Sequence, residues 1–304
     1  MHGHGRLILV TGKGGVGKTT LAAGFGLHSA TTGRRTLIVE TASDSRLLPI
    51  LGVKENGAST IREIEPQLHA VRISARQLVE DYFASLLRFS FLSKRLFESS
   101  SFNALTAAAP GISEFLLLER VLEWLAPDKR QRPYDVVILD GPATGHALKL
   151  LRTPRNLLGM VPAGPLAGSA QRMNRLLEDP ERTLTLIVAI PEELSVQETI
   201  ETHRALRENI GVAVSRPVIN RMFPQAFSKA EVAQVQLADE RDAAIAAARF
   251  AIARRQEAER NAGRLRRALG VSPLQLPQVF TDRLDRDTLL GFGQRVGDDI
   301  LGLA

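Results

Sequence analysis

The 304-residue chain contains no cysteine and carries a formal net charge of +6. Lack of sulfur excludes disulfides, thiolate zinc sites, iron–sulfur clusters and thiol nucleophiles, and the length allows one large α/β domain with a substantial core. Only seven of the 39 cationic side chains are lysines, and the arginines are scattered singly or in pairs such as Arg34-Arg35 and Arg266-Arg267. They form none of the like-charge runs that mark a nucleic-acid arm, so the surface reads as mildly cationic with no nucleic-acid partner expected.

The N-terminus, with His2 and His4, lacks the cationic and apolar regions of a signal peptide. Apolar runs such as Leu184 to Ile190 are strand length, short of a membrane span. A cytoplasmic protein without stable membrane insertion is expected.

In chain order, strands are expected at Arg6 to Thr11, Thr36 to Thr41, His69 to Ser74, Asp135 to Asp140, Leu184 to Ile190, Ala213 to Asn220 and Leu274 to Leu276. Helices are expected at Lys18 to Thr31, Val196 to Asn209, Lys229 to Leu269 (one helix or two) and Asp285 to Leu301. This alternation predicts a doubly wound α/β fold, its sheet parallel except at most at an edge, with ligand at the carboxyl ends of the strands. One domain, 1–304, is expected, with a helical insert over about 75–126 plus 155–180 forming a subdomain at one edge. The first insert segment holds Phe83, Phe89, Phe91, Phe97, Phe102, Phe115 and Trp124. These aromatics form either the subdomain's own core or an apolar surface for a client.

Between the first strand and its helix, Gly12-Lys13-Gly14-Gly15-Val16-Gly17-Lys18-Thr19 fits the phosphate-binding pattern G-x-x-x-x-G-K-[ST] and is followed by Thr20. Its glycines let successive N–H groups converge on phosphate oxygens, Lys18 adds charge for the β and γ phosphates, and the Thr19 hydroxyl can ligate Mg²⁺. ATP with Mg²⁺ is the expected cofactor pair.

Lys13, not required by the loop geometry, resembles the signature lysine of the deviant Walker A ATPases. The resemblance implies a nucleotide-dependent homodimer in which Lys13 reaches the partner's nucleotide and stabilises transition-state charge. Asp140-Gly141-Pro142-Ala143-Thr144-Gly145-His146, continuing to Pro154, resembles the switch II string D-x-x-P-T-G-H…L-x-x-L-x-x-P of the arsenical-pump and tail-anchored-targeting ATPases, with the proline one place early. Asp140 at a strand end can hold Mg²⁺ through water, and Gly145 lets the turn rearrange.

Pro110-Gly111-Ile112-Ser113-Glu114 resembles the family's P-G-I-D-E, and Pro191 to Thr199 its P-E-x-L-S-V-x-E-T segment. Val218-Ile219-Asn220-Arg221 opens a string similar to the family's adenine loop. The resemblance implies base contacts from Asn220, Arg221 and the later Pro277.

The switch I string departs. Where the family carries S-T-D-P-A-H-S-L, this chain has Glu40-Thr41-Ala42-Ser43-Asp44-Ser45-Arg46-Leu47, with Ala42 at the water-orienting aspartate. Either Asp44 or Glu40 substitutes from a neighbouring position, or hydrolysis is slow. The catalytic set read from the chain is Lys13, Lys18, Asp44 and Asp140.

Without cysteine, thiolate arsenite binding and a zinc-clasped dimer are excluded. The leading function is a switch ATPase coupling nucleotide state to a hydrophobic protein client. The alternatives are a partitioning or positioning ATPase working with DNA or a membrane partner, and a nucleotide-binding scaffold with little hydrolysis. Ala42→Asp is expected to raise steady-state ATP turnover. Turnover at an ordinary rate, unmoved by Asp44→Asn and Glu40→Gln, would sink substitution by either carboxylate.

Overall fold

The computed structural model describes residues 5–41, 45–54, 60–87, 111–126, 132–161, 163–239, 242–281 and 283–301. Eight strands form one sheet: β1 (Arg6–Thr11), β2 (Thr36–Glu40), β3 (Arg62–Glu65), β4 (Leu68–Arg72), β5 (Val136–Asp140), β6 (Thr183–Ala189), β7 (Val218–Met222) and β8 (Leu274–Pro277). Their order is β3-β4-β2-β5-β1-β6-β7-β8, and every pairing is parallel except that of the edge strand β3 with β4. β2 and β5 are buried throughout, as continuous apolar runs must be when helices cover both faces of a parallel sheet.

The helices are α1 (Lys18–Thr31), α2 (Leu47–Ile50), α3 (Ala75–Leu87), α4 (Ile112–Leu125), α5 (Thr144–Met160), α6 (Pro165–Glu178), α7 (Glu193–Arg204), α8 (Lys229–Leu237), α9 (Ala243–Leu269) and α10 (Arg286–Leu301). α7 runs on into a π-helical turn, Ala205–Ile210. Alternate strand residues point to opposite faces. Leu7, Leu9, Val137 and Leu139 meet Phe115 and Val121 of α4, Leu150 of α5 and Met173 of α6. Ile8, Val10 and Ile138 meet Phe25 of α1 and Phe292 and Val296 of α10.

The expected elements recur with shifted ends. The strand expected from Ala213 begins at Val218, because Pro217 has no N–H for the ladder; Val214 makes only an isolated bridge to Thr185. The strand expected at His69 to Ser74 spans Leu68–Arg72. β3 and α2 were not anticipated.

The stretch from Lys229 to Leu269 is two helices. Ser228 and Glu231 make a reciprocal capping box at the start of α8, and the Asp242 carboxylate accepts from the Ala244 N–H at the start of α9. In the insert, Phe115 joins the sheet's own core and Trp124 packs against it. Phe89, Phe91, Phe97 and Phe102 lie outside the described residues.

α1, the helix that leaves the phosphate loop, crosses α10 at backbone contact distance. A Cβ on Gly293 would lie 1.9 Å from the Gly24 carbonyl oxygen, and one on Gly297 would lie 2.2 Å from His28 Cδ2. Gly293→Ala should therefore cost about 1–3 kcal/mol by overpacking, read as a melting temperature several degrees lower in thermal denaturation.

Candidate active site

The carboxyl ends of β1, β2, β5, β6 and β7 deliver the candidate residues to one place. β1 ends in Thr11, and the chain turns beneath β6 at Gly12 (φ 146°), where a Cβ would come within 2.1 Å of the Val188 carbonyl oxygen. Gly15 and Gly17 are left-handed (φ 80° and 99°), and Gly14 and Gly15 face open space. The loop therefore keeps its concave side free, as a backbone nest for an anion requires. A Cβ on Gly17 would lie 2.3 Å from Asn220 Nδ2. The close approach lets that amide donate to the Val16 carbonyl at 2.9 Å, tying the adenine-type loop to the phosphate loop.

Lys18 is half-buried, and its ammonium donates to the carbonyls of Gly12 (3.0 Å) and Lys13 (3.1 Å). Burial pulls its pKa down, Asp140 and Glu198 oppose that, and Arg46 adds to it. Lys13 is exposed at the rim, and Thr20 lies half-buried on the first turn of α1.

Thr19 Oγ donates to Asp140 Oδ2 at 2.7 Å, joining the start of α1 to the end of β5. Burial pushes the Asp140 carboxyl up to about 6, against the Thr19 hydrogen bond, which lowers it; Glu40 raises it further, while Lys18 and Arg46 lower it. Asp140 Oδ1 is buried with no hydrogen-bond partner. A divalent cation, or water bound to one, fits that orphaned oxygen beside a hydroxyl ligand. Among the described residues no group of three or more His, Cys, Asp or Glu side chains is placed to hold a metal.

Switch II is pinned at several points. Gly141 N–H donates to the Val10 carbonyl at 2.9 Å, and the Thr11 hydroxyl to the Pro142 carbonyl at 3.0 Å. Ala143, where the family has proline, adopts φ −58° and ψ 157°, torsions open to proline. Its carbonyl accepts from the His146 N–H, and the His146 side chain is exposed. The Thr144 hydroxyl donates to Glu198 on α7, a contact not foreseen from the sequence although Glu198 lies in a motif singled out there.

The residues expected at the base are brought together by strand pairing. Met222 and Pro277 are register partners on β7 and β8, which sets Pro277 near Asn220 and Arg221. Arg221 is a non-glycine residue at φ 59°, its N–H held by Asn220 Oδ1 at 2.9 Å. Phe223 stacks edge-on with exposed Phe250 and Phe280 on this side, ring centroids 6.3 and 5.5 Å apart.

Of the two switch I carboxylates weighed, Asp44 and the aligned Ala42 lie outside the described residues. Glu40 is buried with both oxygens occupied. Oε1 accepts from the Arg46 and Leu47 N–H groups at 2.7 and 3.0 Å, and Oε2 from the Ser45 hydroxyl at 3.0 Å. It caps α2, a role that could have been suspected from an acidic residue shortly before an apolar run.

A strand, a glycine nest, a helix-borne Lys-Thr pair and an acidic residue at the end of a neighbouring parallel strand define a P-loop nucleotide hydrolase. The comparisons narrow that class. The profile of the anion-transporting ATPases matches residues 5–162 and 166–244, and the chain belongs to that family. It is 29% identical over 241 residues to ATPase BagA of Mycobacterium tuberculosis, covering 76% of this chain and 70% of the relative. An arsenical pump-driving ATPase of Acidiphilium multivorum is 29% identical over 237 residues, 72% of this chain but only 40% of that protein. ATPase GET3C of Arabidopsis thaliana is 25% identical over 277 residues, covering 75% of this chain and 70% of the relative. The chain is thus an ATPase of the arsenical-pump and GET3 group.

The native pKa of Asp140 lies above its ordinary 3.8, so the folded chain binds more protons than the unfolded one between those values. The resulting stability is complete at low pH and is lost as pH rises through about 6, a difference of about 3 kcal/mol. Asp140→Asn should accordingly melt higher than the wild type at pH 7.5 without nucleotide, the gap closing towards pH 4, while ATP turnover falls by about 10²-fold or more. Melting curves across pH and a phosphate-release assay check both.

Proposed function

We propose that the protein is a cytoplasmic, homodimeric ATP switch whose nucleotide state governs the binding of an apolar segment of another protein. MgATP would lie on the backbone of Gly12, Gly14, Gly15, Val16 and Gly17, with Lys18 at its outer phosphates, Thr19 and Asp140 at the metal, and Asn220, Arg221 and Pro277 at the base. Thr20 would follow at the first turn of α1. When bound, Mg²⁺ neutralises phosphate charge. Lys13, exposed at the rim, would act across the dimer, and Asp44 is the remaining candidate to orient water. No described helix is long and apolar enough to cross a membrane.

The observation that carries this reading is the contact between α5, the helix that begins in switch II, and α4 of the insert. Lys149 of α5 pairs with Glu114 of α4 at 2.8 Å, and the Ser113 hydroxyl donates to the same carboxylate at 2.9 Å. Burial alone would raise the Glu114 pKa, yet its bonds to Lys149 and Ser113 hold it below the ordinary value. Beside this pair is a cavity of about 140 Å³, lined by residues including Thr41, Leu78, Leu117, Pro142 and His146. Loss of the terminal phosphate would move the Asp140–His146 turn and, one helical turn on, Lys149. A rearrangement at the phosphates thereby reaches the insert helices.

The family's anion-transport description is not carried over to arsenite, because the chain has no thiolate to bind it. DNA-dependent positioning is disfavoured by Arg254, Arg255 and Arg264 of α9, which are engaged by Glu257, Glu259 and Glu193.

Lys149→Ala should keep ATP turnover within about threefold while abolishing the ATP-dependent part of binding to a fluorescent apolar helical peptide. Lys13→Ala should remove ATP-induced dimerisation in sedimentation velocity. Peptide binding indifferent to nucleotide in the wild type would defeat the client reading, and a monomer under MgATP would defeat the dimer.

A further inference from the structure

The Glu40 cap has a second effect, on the residue it holds. Glu40 and Asp140 are register partners at the carboxyl ends of β2 and β5. By accepting the Arg46 and Leu47 N–H groups, the Glu40 carboxylate fixes the start of α2 beside the strand end that carries Asp140. The carboxylate accepts two backbone N–H groups and a hydroxyl, and the bond from Arg46 comes from its backbone N–H and not from its guanidinium. That guanidinium is exposed and has no hydrogen-bond or ion-pair partner among the described residues. Asp140, the register partner of Glu40, in turn accepts from Thr19, the neighbour of Lys18, at 2.7 Å. Arg46 is therefore held at the strand end that adjoins Asp140 and the Lys18-Thr19 pair, and its charge acts on both Lys18 and Asp140.

We propose that Arg46 is a cis cation for the terminal phosphate of ATP, with Glu40 as the residue that positions it. The proposal rests on the placement of the phosphates at Lys18. The family string carries serine at this point, and Arg46 was not among the candidate site residues read from the sequence. Hydrolysis breaks the bond from the γ-phosphorus to the bridging oxygen, whose electron pair leaves with ADP. Water adds to the phosphorus and gives up its proton to solvent. Negative charge on the γ-oxygens and the bridging oxygen is what a planar guanidinium can hold with two parallel N–H bonds. The chain has alanine at the water-orienting position, so this cation would contribute through charge stabilisation and leave water orientation to another group.

Dissociation constants for fluorescent ATP and ADP analogues with Mg²⁺, kcat, and melting temperature test the assignment on the full chain. Arg46→Ala should weaken ATP by about tenfold while ADP stays within about twofold, and kcat should fall by about 10²-fold. The melting temperature should hold, and Arg46→Lys should recover part of the ATP preference. Glu40→Gln should reduce the same preference, and adding it to Arg46→Ala should cost nothing further, because the two act as one unit. Lys18→Ala is the control and should lose both nucleotides. If Arg46→Ala shifts ATP and ADP together, or leaves kcat within about threefold, the proposal is overturned with the nucleotide site intact. If Lys18→Ala still binds both, the site and the proposal fall together.

Discussion

The Asp140 carboxylate, at the buried end of a strand covered on both faces, is the group around which the site is organised. Thr19 satisfies one of its oxygens, and the other has no partner. A hydrocarbon core supports such a charge only when cations or donors stand close by. Lys18, Arg46 and the Thr19 hydroxyl are the groups that oppose its burial. They lie on the elements that follow β1 and β2, so the electrostatics of one side chain on β5 constrain where the loops of its two neighbours end. The buried, half-partnered carboxylate is thus a place where local stability is given up for a side chain suited to a cation.

Backbone proximity is the second constraint, and it makes the loops interdependent. Gly12 passes the Val188 carbonyl, Gly17 admits Asn220, and Gly141 lies where a Cβ would be 2.7 Å from the Val10 carbonyl oxygen. At each point a side chain would drive two loops apart. The hydrogen bonds made at two of these points join the phosphate loop to Asn220 through Val16 and the end of β1 to switch II through Val10. Thr144 and Glu198 extend the network to α7. A displacement of one loop cannot be absorbed locally, because its neighbours share the same bonds.

Much of this was legible in the sequence, for physical reasons that differ between elements. The strands β1, β2 and β5 announce themselves as apolar runs, and the phosphate loop by glycines that only a tight nest requires. The order of motifs placed Asp140 at a strand end, whereas Asn220, expected to end its strand, lies inside β7, which runs on to Met222. What escaped was set by tertiary partners. β3 is a short edge strand, half-exposed, with the polar sequence Arg-Glu-Ile-Glu, so no periodicity separates it from a loop. α2 is one turn held by a buried carboxylate seven residues before its first residue, Leu47, a bond that exists only once β2 is in the sheet. Glu40 looked like a stand-in catalyst because its type and position in the string suited that role. Its burial and three hydrogen bonds are properties of the fold, and they make it a cap.

The α5 helix shows how a small change at phosphate could become a change in helix packing. Its first turns begin in switch II, and Pro154 interrupts its hydrogen-bond ladder, leaving the Leu150 carbonyl without its usual partner. Next to that break the Thr153 hydroxyl donates to the Lys149 carbonyl at 2.9 Å, and its methyl group lies 3.7 Å from where a Cβ on Gly111 would be, at the start of α4. The segment from Thr144 to Thr153 therefore touches the insert at two places, the Lys149–Glu114 pair and the Thr153–Gly111 contact. It is separated from the rest of α5 by the one residue that cannot carry the ladder through. A half-exposed ion pair is worth little to stability, so its loss would cost the fold little. Packed interfaces shift between discrete arrangements. A rotation of this short arm would then exchange one set of α4–α5 contacts for another, while the glycine-tight floor of the site stays fixed.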